Sequence, residues 1–145
     1  MTSTHLLRSQ HRDAVAMIDR LLSQLTNYSG PGDAYGIALQ LARLTQLMRV
    51  HFAQEDYTLY PALIVSPDTD VAEAARAFQR ESGELWSQFE AFIRHWSTST
   101  AIAANFDQFR AEGIAICHAI EDRCRRENDL LFPLAEAGRR PPLAA

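Results

Sequence analysis

Lysine is absent from this chain: all 14 of its basic residues are arginine. Together with the heavy use of alanine, that bias reads as genomic codon composition rather than chemistry. Positive charge is not in surplus either. The formal net charge is −4, and the dense basic cluster, Arg123, Arg125 and Arg126, is set among acidic residues. A nucleic-acid partner needs a basic field and is excluded on that ground. No run of about 18 apolar residues exists, so neither a membrane span nor a membrane partner is expected. The opening residues, Met1 to His5, have neither the basic nor the apolar stretch of a secretory leader, and a cytoplasmic location is the expectation. Cysteine is scarce. Cys117 and Cys124, seven residues apart on one helix, would lie roughly 10 Å apart along its face, beyond disulfide reach. Both are expected as free thiols, and no CxxC pair supports a zinc site. A glycine-rich phosphate loop and a nucleophile elbow are also missing, so a non-enzymatic protein is expected.

Strand signals are equally thin: there is no Asn-Gly or Asp-Gly hairpin and no long β-branched alternation. What is present is helical periodicity. With 145 residues the chain has enough length for one domain with a sizeable core, expected over residues 1–138, with 139–145 as a flexible tail after Gly138 and the Pro141-Pro142 pair. Four segments carry apolar residues at steps of three and four. The first reads Leu7, His11, Ala14, Ile18, Leu21, Leu25. The second reads Ile37, Leu41, Leu44, Met48, His51, Glu55. The third, opening near Asp68 or Asp70, reads Val71, Ala75, Phe78, Ser82, Leu85, Phe89, Phe92, Trp96. The fourth reads Ile102, Phe106, Phe109, Gly113, Ile116, Ile120, Arg123, Glu127, Leu130. Turn residues at Asn27–Asp33, Ser66–Asp68 and Ser97–Thr100 separate them. Short connections make successive helices antiparallel neighbours, which predicts an all-α fold: an antiparallel up-down-up-down four-helix bundle.

Each stripe is interrupted by a polar residue. His11 and Ser82 fall near the N-terminal ends of the first and third helices. His51, Glu55, Arg123 and Glu127 fall near the C-terminal ends of the second and fourth. In an antiparallel bundle these are the same end, so the six residues converge on one layer of the core. The chain also echoes itself. Glu55 is followed by Leu59-Tyr60-Pro61, and Glu127 by Leu131-Phe132-Pro133. Proline disrupts a helix, so each glutamate sits just before an expected kink or stop, and the bundle has pseudo-twofold halves. His51 and Glu55, four residues apart, share a helical face. His11 adds a third potential metal ligand and Glu127 a fourth or a bridge, a mixed set suited to iron, manganese or zinc. Arg123 offers a different account, in which its guanidinium forks to Glu127 and across the bundle to Glu55 and makes the layer a metal-free polar core.

These residues resemble the hemerythrin-like, or HHE, domain family. The resemblance is carried by Gln10-His11, by His51-Phe52-Ala53-Gln54-Glu55 with Leu59-Tyr60-Pro61, and by Glu127 with Leu130-Leu131-Phe132-Pro133, and it spans about Leu6 to Ala137. It implies a four-helix bundle holding two bridged irons, used in oxygen binding, sensing, or protection from nitric oxide and iron damage. It also implies a histidine on the third helix, where this chain reads Glu81-Ser82-Gly83, and one four residues before the last glutamate, where it reads Arg123. Four ligands, His11, His51, Glu55 and Glu127, carry over, with Glu81 as a possible replacement. The expectation is therefore a degenerate pocket with no metal or weakly bound metal in a regulatory or protein-interaction module. The alternative is a non-haem protein holding mono- or dinuclear iron that senses or binds oxygen, nitric oxide or redox state. The sequence names no protein partner and leaves a homodimer open.

Overall fold

The computed structural model describes residues 4–138. Its helices are α1 (Thr4–Thr26), α2 (Ala34–Gln54), α3 (Tyr60–Ile64), α4 (Thr69–His95), α5 (Ser99–Ala104), α6 (Phe106–Arg126) and α7 (Phe132–Gly138). A short 3-10 turn, Pro31–Asp33, leads into α2, and two π-helical turns, Glu55–Leu59 and Glu127–Leu131, join α2 to α3 and α6 to α7. No strand occurs among the described residues. The four rods of the bundle are α1, α2–α3, α4 and α6–α7. Each packs on its two neighbours in a closed ring, α1 on α2, α2 on α4, α4 on α6 and α6 on α1. The all-α four-helix architecture read from the stripes is the observed one. The expected tail, 139–145, lies outside the described residues.

Every stripe residue of the first two segments is buried, as are those of the third from Ala75 to Trp96. Local chemistry sets the element ends. Asp68 accepts a hydrogen bond from the Asp70 amide at 3.0 Å and caps α4, and Thr98 caps α5 in the same way through Ala101 at 3.1 Å. The fourth segment departs from expectation twice. It is not one continuous helix, because Asn105, at φ −140° and ψ 55°, leaves the helical region and divides α5 from α6. Phe106, expected in the core, is consequently only partly buried and stacks on Tyr28 with ring centroids 3.5 Å apart. Further along, Leu130 is 57% exposed while Leu131 is wholly buried. The π turn inserts one extra residue per turn and so moves the buried position from 130 to 131.

Of the kink or stop expected before each proline, the chain shows an interruption without a stop. In each π turn the amide after the turn reaches back five residues: Tyr60 N–H donates to the Glu55 carbonyl, and Phe132 N–H to the Glu127 carbonyl. Pro61 and Pro133 stand one residue later, at the start of a renewed helix, where a missing N–H and a fixed φ are tolerated. The chain widens by a turn and continues. Cys117 and Cys124 are both buried and free.

The core has two parts. A larger apolar cluster runs from Ala14 through Met48, Phe89 and Ile116 to Cys124. A smaller one gathers Leu7, Leu59, Tyr60, Phe78, Leu131 and Phe132 at the end where the π turns lie. On every rod the polar residues fall between the two: His11 between Leu7 and Ala14, Glu55 between Phe52 and Leu59, Ser82 between Phe78 and Leu85, Glu127 between Cys124 and Leu131. A buried polar layer thus divides the hydrophobic core.

Candidate metal centre

The side chains of His11, His51, Glu55 and Glu127 meet in that layer, each at most 2% exposed, with one ligand atom from each lying within 4.8 Å of all the others. The two imidazoles present Nε2 to Nε2 at 3.0 Å. Glu127 Oε1 is 2.9 Å from His11 Nε2 and 3.3 Å from His51 Nε2. Glu55 Oε1 is 3.4 Å from His51 Nε2, but without hydrogen-bond alignment.

The far side of each ring explains which atoms face inward. His51 Nδ1 lies 2.7 Å from Gln10 Oε1, and His11 Nδ1 lies 2.8 Å from Asn128 Oδ1. The Gln10 amide is itself oriented, because its Nε2 donates to Gln54 Oε1 at 2.6 Å. An amide oxygen accepts a hydrogen bond, so each Nδ1 carries N–H and each ring turns its Nε2 into the layer, where it carries a proton shared with Glu127 or offers a lone pair to a metal ion. Two lone pairs facing each other at hydrogen-bond distance have nothing to share. They require a cation, either a proton or a metal ion, between them. Outer partners that fix ring tautomer and direction in this way are what metal-ligating histidines use.

Glu55 supplies the second test of fit. Both of its carboxylate oxygens are buried without a hydrogen-bond partner. An orphaned buried carboxylate is costly; a cation at the Nε2 pair would lie beside it and relieve that cost. The electrostatics agree. Burial and then the charge of Glu127 push the Glu55 carboxyl up. Burial also acts to raise Glu127, yet hydrogen bonds from His11 and His51 hold it well below the usual carboxylate range. Burial acts against charge on His51, but Glu55 and Glu127 outweigh it and raise the ring to about 10. The layer pairs an ionised Glu127 with a positive charge on His51, a place that a metal ion could take over. Two imidazole nitrogens and two carboxylates form a donor set suited to iron, manganese or zinc.

The remaining sequence candidates surround this cluster without joining it. Arg123 is buried and donates from Nε to Glu127 Oε2 at 2.9 Å, from Nη2 to the Tyr60 hydroxyl at 2.9 Å and the Phe78 carbonyl at 2.6 Å, and from Nη1 to Glu81 at 3.3 Å. Its expected bond to Glu127 is present. Its expected fork to Glu55 is not; the guanidinium turns instead toward α3 and α4 and lies over the Phe78 ring. Burial opposes its charge, and Glu127 more than offsets this and raises its pKa. Glu81 stands half-exposed at the rim, bound to Arg123 and to Arg126, so it is not placed as a replacement ligand. Ser82 is buried beside Tyr60. It also lines an open pocket of about 500 Å³, with Arg49, Phe52, Asp56, Gly83 and Trp86, that abuts the layer from the α2–α4 side. His5, His95 and His118 are exposed, as expected. Gln10 and Asn128, which orient the rings, were not singled out from the sequence for that role. The available signal was their position, each beside a ligand in the chain.

Residues 2–135 match the family model of the hemerythrin HHE cation-binding domain. The chain belongs to that family. That family is described as cation-binding, and the four residues carried over by resemblance are those that meet in this layer. No curated protein and no solved structure matches the chain. No helix among the described residues of this hemerythrin-like domain is long and apolar enough to cross a membrane.

Proposed function

We propose that this hemerythrin-like domain is a non-enzymatic, cytoplasmic module that binds a transition-metal cation, iron first, through His11, His51, Glu55 and Glu127. One observation carries the reading: two imidazoles, each held through Nδ1, aim Nε2 at Nε2 at 3.0 Å beside a buried glutamate whose oxygens accept no hydrogen bond. A metal held there would supply Lewis acidity and, if iron, redox chemistry. The protein's residues do the rest. Gln10 and Asn128 fix the rings, Glu127 shares its charge between the histidines and Arg123, and the two apolar clusters exclude water. The pocket beside Ser82 gives small solutes an approach. Binding rather than turnover is favoured because Ser82, the serine in this layer that could imitate a nucleophile, is buried. A regulatory or interaction role is supported by Tyr57, 82% exposed, and Leu130, 57% exposed, apolar residues turned outward on the two π turns.

A second reading, a metal-free polar core, is favoured by Arg123, which already neutralises part of the layer through Glu127. Elemental mass spectrometry on the full chain, purified without chelator, separates the two. Bound iron, lost in Glu55→Gln, supports the metal reading. Metal-free protein that takes up no Fe(II), Mn(II) or Zn(II) on anaerobic addition supports the second.

A further inference from the structure

Glu127 faces two ways. Oε1 looks toward the histidine pair, and Oε2 receives Arg123 Nε at 2.9 Å. A carboxylate used in this manner bridges two cationic positions. One is the space beside the Nε2 atoms. The other is filled by a guanidinium whose Nε, Nη1 and Nη2 nitrogens are all engaged, by Glu127, Glu81, Tyr60 and the Phe78 carbonyl. Resting on the metal-binding reading above, we infer that Arg123 is a built-in second cation, which limits this site to one metal ion per chain.

Charge supports the limit. With both histidines neutral as metal ligands, the buried layer holds two carboxylates and one guanidinium, a net single negative charge, and Glu81 at the rim is offset by Arg126. One divalent ion already more than neutralises that set. A second would leave three positive charges uncompensated where water is excluded, which is unfavourable by far more than an exposed pair of like charges would be. Geometry supports it too. The atoms that could coordinate an ion on the Oε2 side, the Tyr60 hydroxyl, the Phe78 carbonyl and Glu81, already accept from Arg123. Guanidinium does not deprotonate to make way, and its packing on the Phe78 ring, 4.7 Å from its central carbon to the ring centre, holds it in place.

The test is stoichiometry. Full-length protein, stripped of metal and titrated anaerobically with Fe(II) and separately with Co(II), is assayed for metal per chain by elemental analysis and for Co(II) by its visible absorption. The parent is expected to saturate at one ion. Arg123→Lys, which keeps the cation, stays at one. Arg123→His removes the permanent charge and places an imidazole four residues before Glu127; it is expected to take a second, weaker ion, doubling the metal content. A parent that takes two ions overturns the inference while leaving the metal reading intact, as does an Arg123→His protein that stays at one. A parent that takes none overturns the metal reading and the inference with it. If Arg123→His does not fold, the parent and Arg123→Lys stoichiometries still decide, because two ions in either refutes the limit.

Discussion

The arginine at 123 also carries a structural burden. It is 5% exposed and forms an ion pair with a glutamate that is 0% exposed. Removing one member of a buried pair leaves the other charge uncompensated, so Arg123→Ala is expected to cost roughly 3–5 kcal/mol in the metal-free protein, read as a lowered urea midpoint. A loss below about 1 kcal/mol, the range of exposed ion pairs, would contradict that burial. The ring-orienting amides act differently. Gln10→Ala or Asn128→Ala leaves all four ligands in place but frees a histidine ring, and should weaken metal binding roughly 10–100-fold in a competition titration against a chelator, with little change in helicity. At this scale the candidate ligands were legible in the sequence and their partners were not. His11, His51, Glu55 and Glu127 fall on apolar stripes, where a polar residue is conspicuous. The Tyr60 hydroxyl and the Phe78 carbonyl come to Arg123 from other helices, and no periodicity in the chain encodes which backbone oxygen a guanidinium will find.

Among the elements, the α helices follow from spacing, and the π turns do not. Steps of three and four specify a face, but a single inserted residue shows itself only in a hydrogen bond reaching back five positions, as from Tyr60 to Glu55. The repeated pattern of glutamate, leucine, aromatic and proline marked both places as a kink or stop, without showing that the interruption is a widened turn. Asn105 was similarly silent, being one polar residue between two helical stretches. Helix α4 offers a clean test of propensity. Gly83 lies mid-helix and exposed, and a Cβ built there meets nothing within 4 Å. Gly83→Ala should therefore stabilise the protein by about 0.5–1 kcal/mol through backbone entropy, seen as a raised thermal midpoint. Destabilisation would mean that this turn of α4 moves closer to α2 in solution.

For the whole molecule, the proposed metal binding would be linked to folding, because the four candidate ligands come from three rods and converge only when the bundle is assembled. An ion present at about 100 times its dissociation constant contributes about 2.7 kcal/mol, which for a chain of this size raises the thermal midpoint by roughly 5–10 °C. Differential scanning calorimetry with and without Fe(II) reads this directly, and an unchanged midpoint would rule the linkage out. The split of the apolar core has its own consequence for cooperativity. Polar contacts across the layer join the smaller cluster, around Leu59, Phe78 and Phe132, to the larger one. The end of the bundle is then a separate unit of opening, held to the rest by whatever cation sits in the layer. Amides of α3 and α7 should exchange their hydrogens well before those in the middle of α2 and α6 when metal is absent, and in step with them when it is bound. The ion would thus act as the clasp that makes two small cores unfold as one.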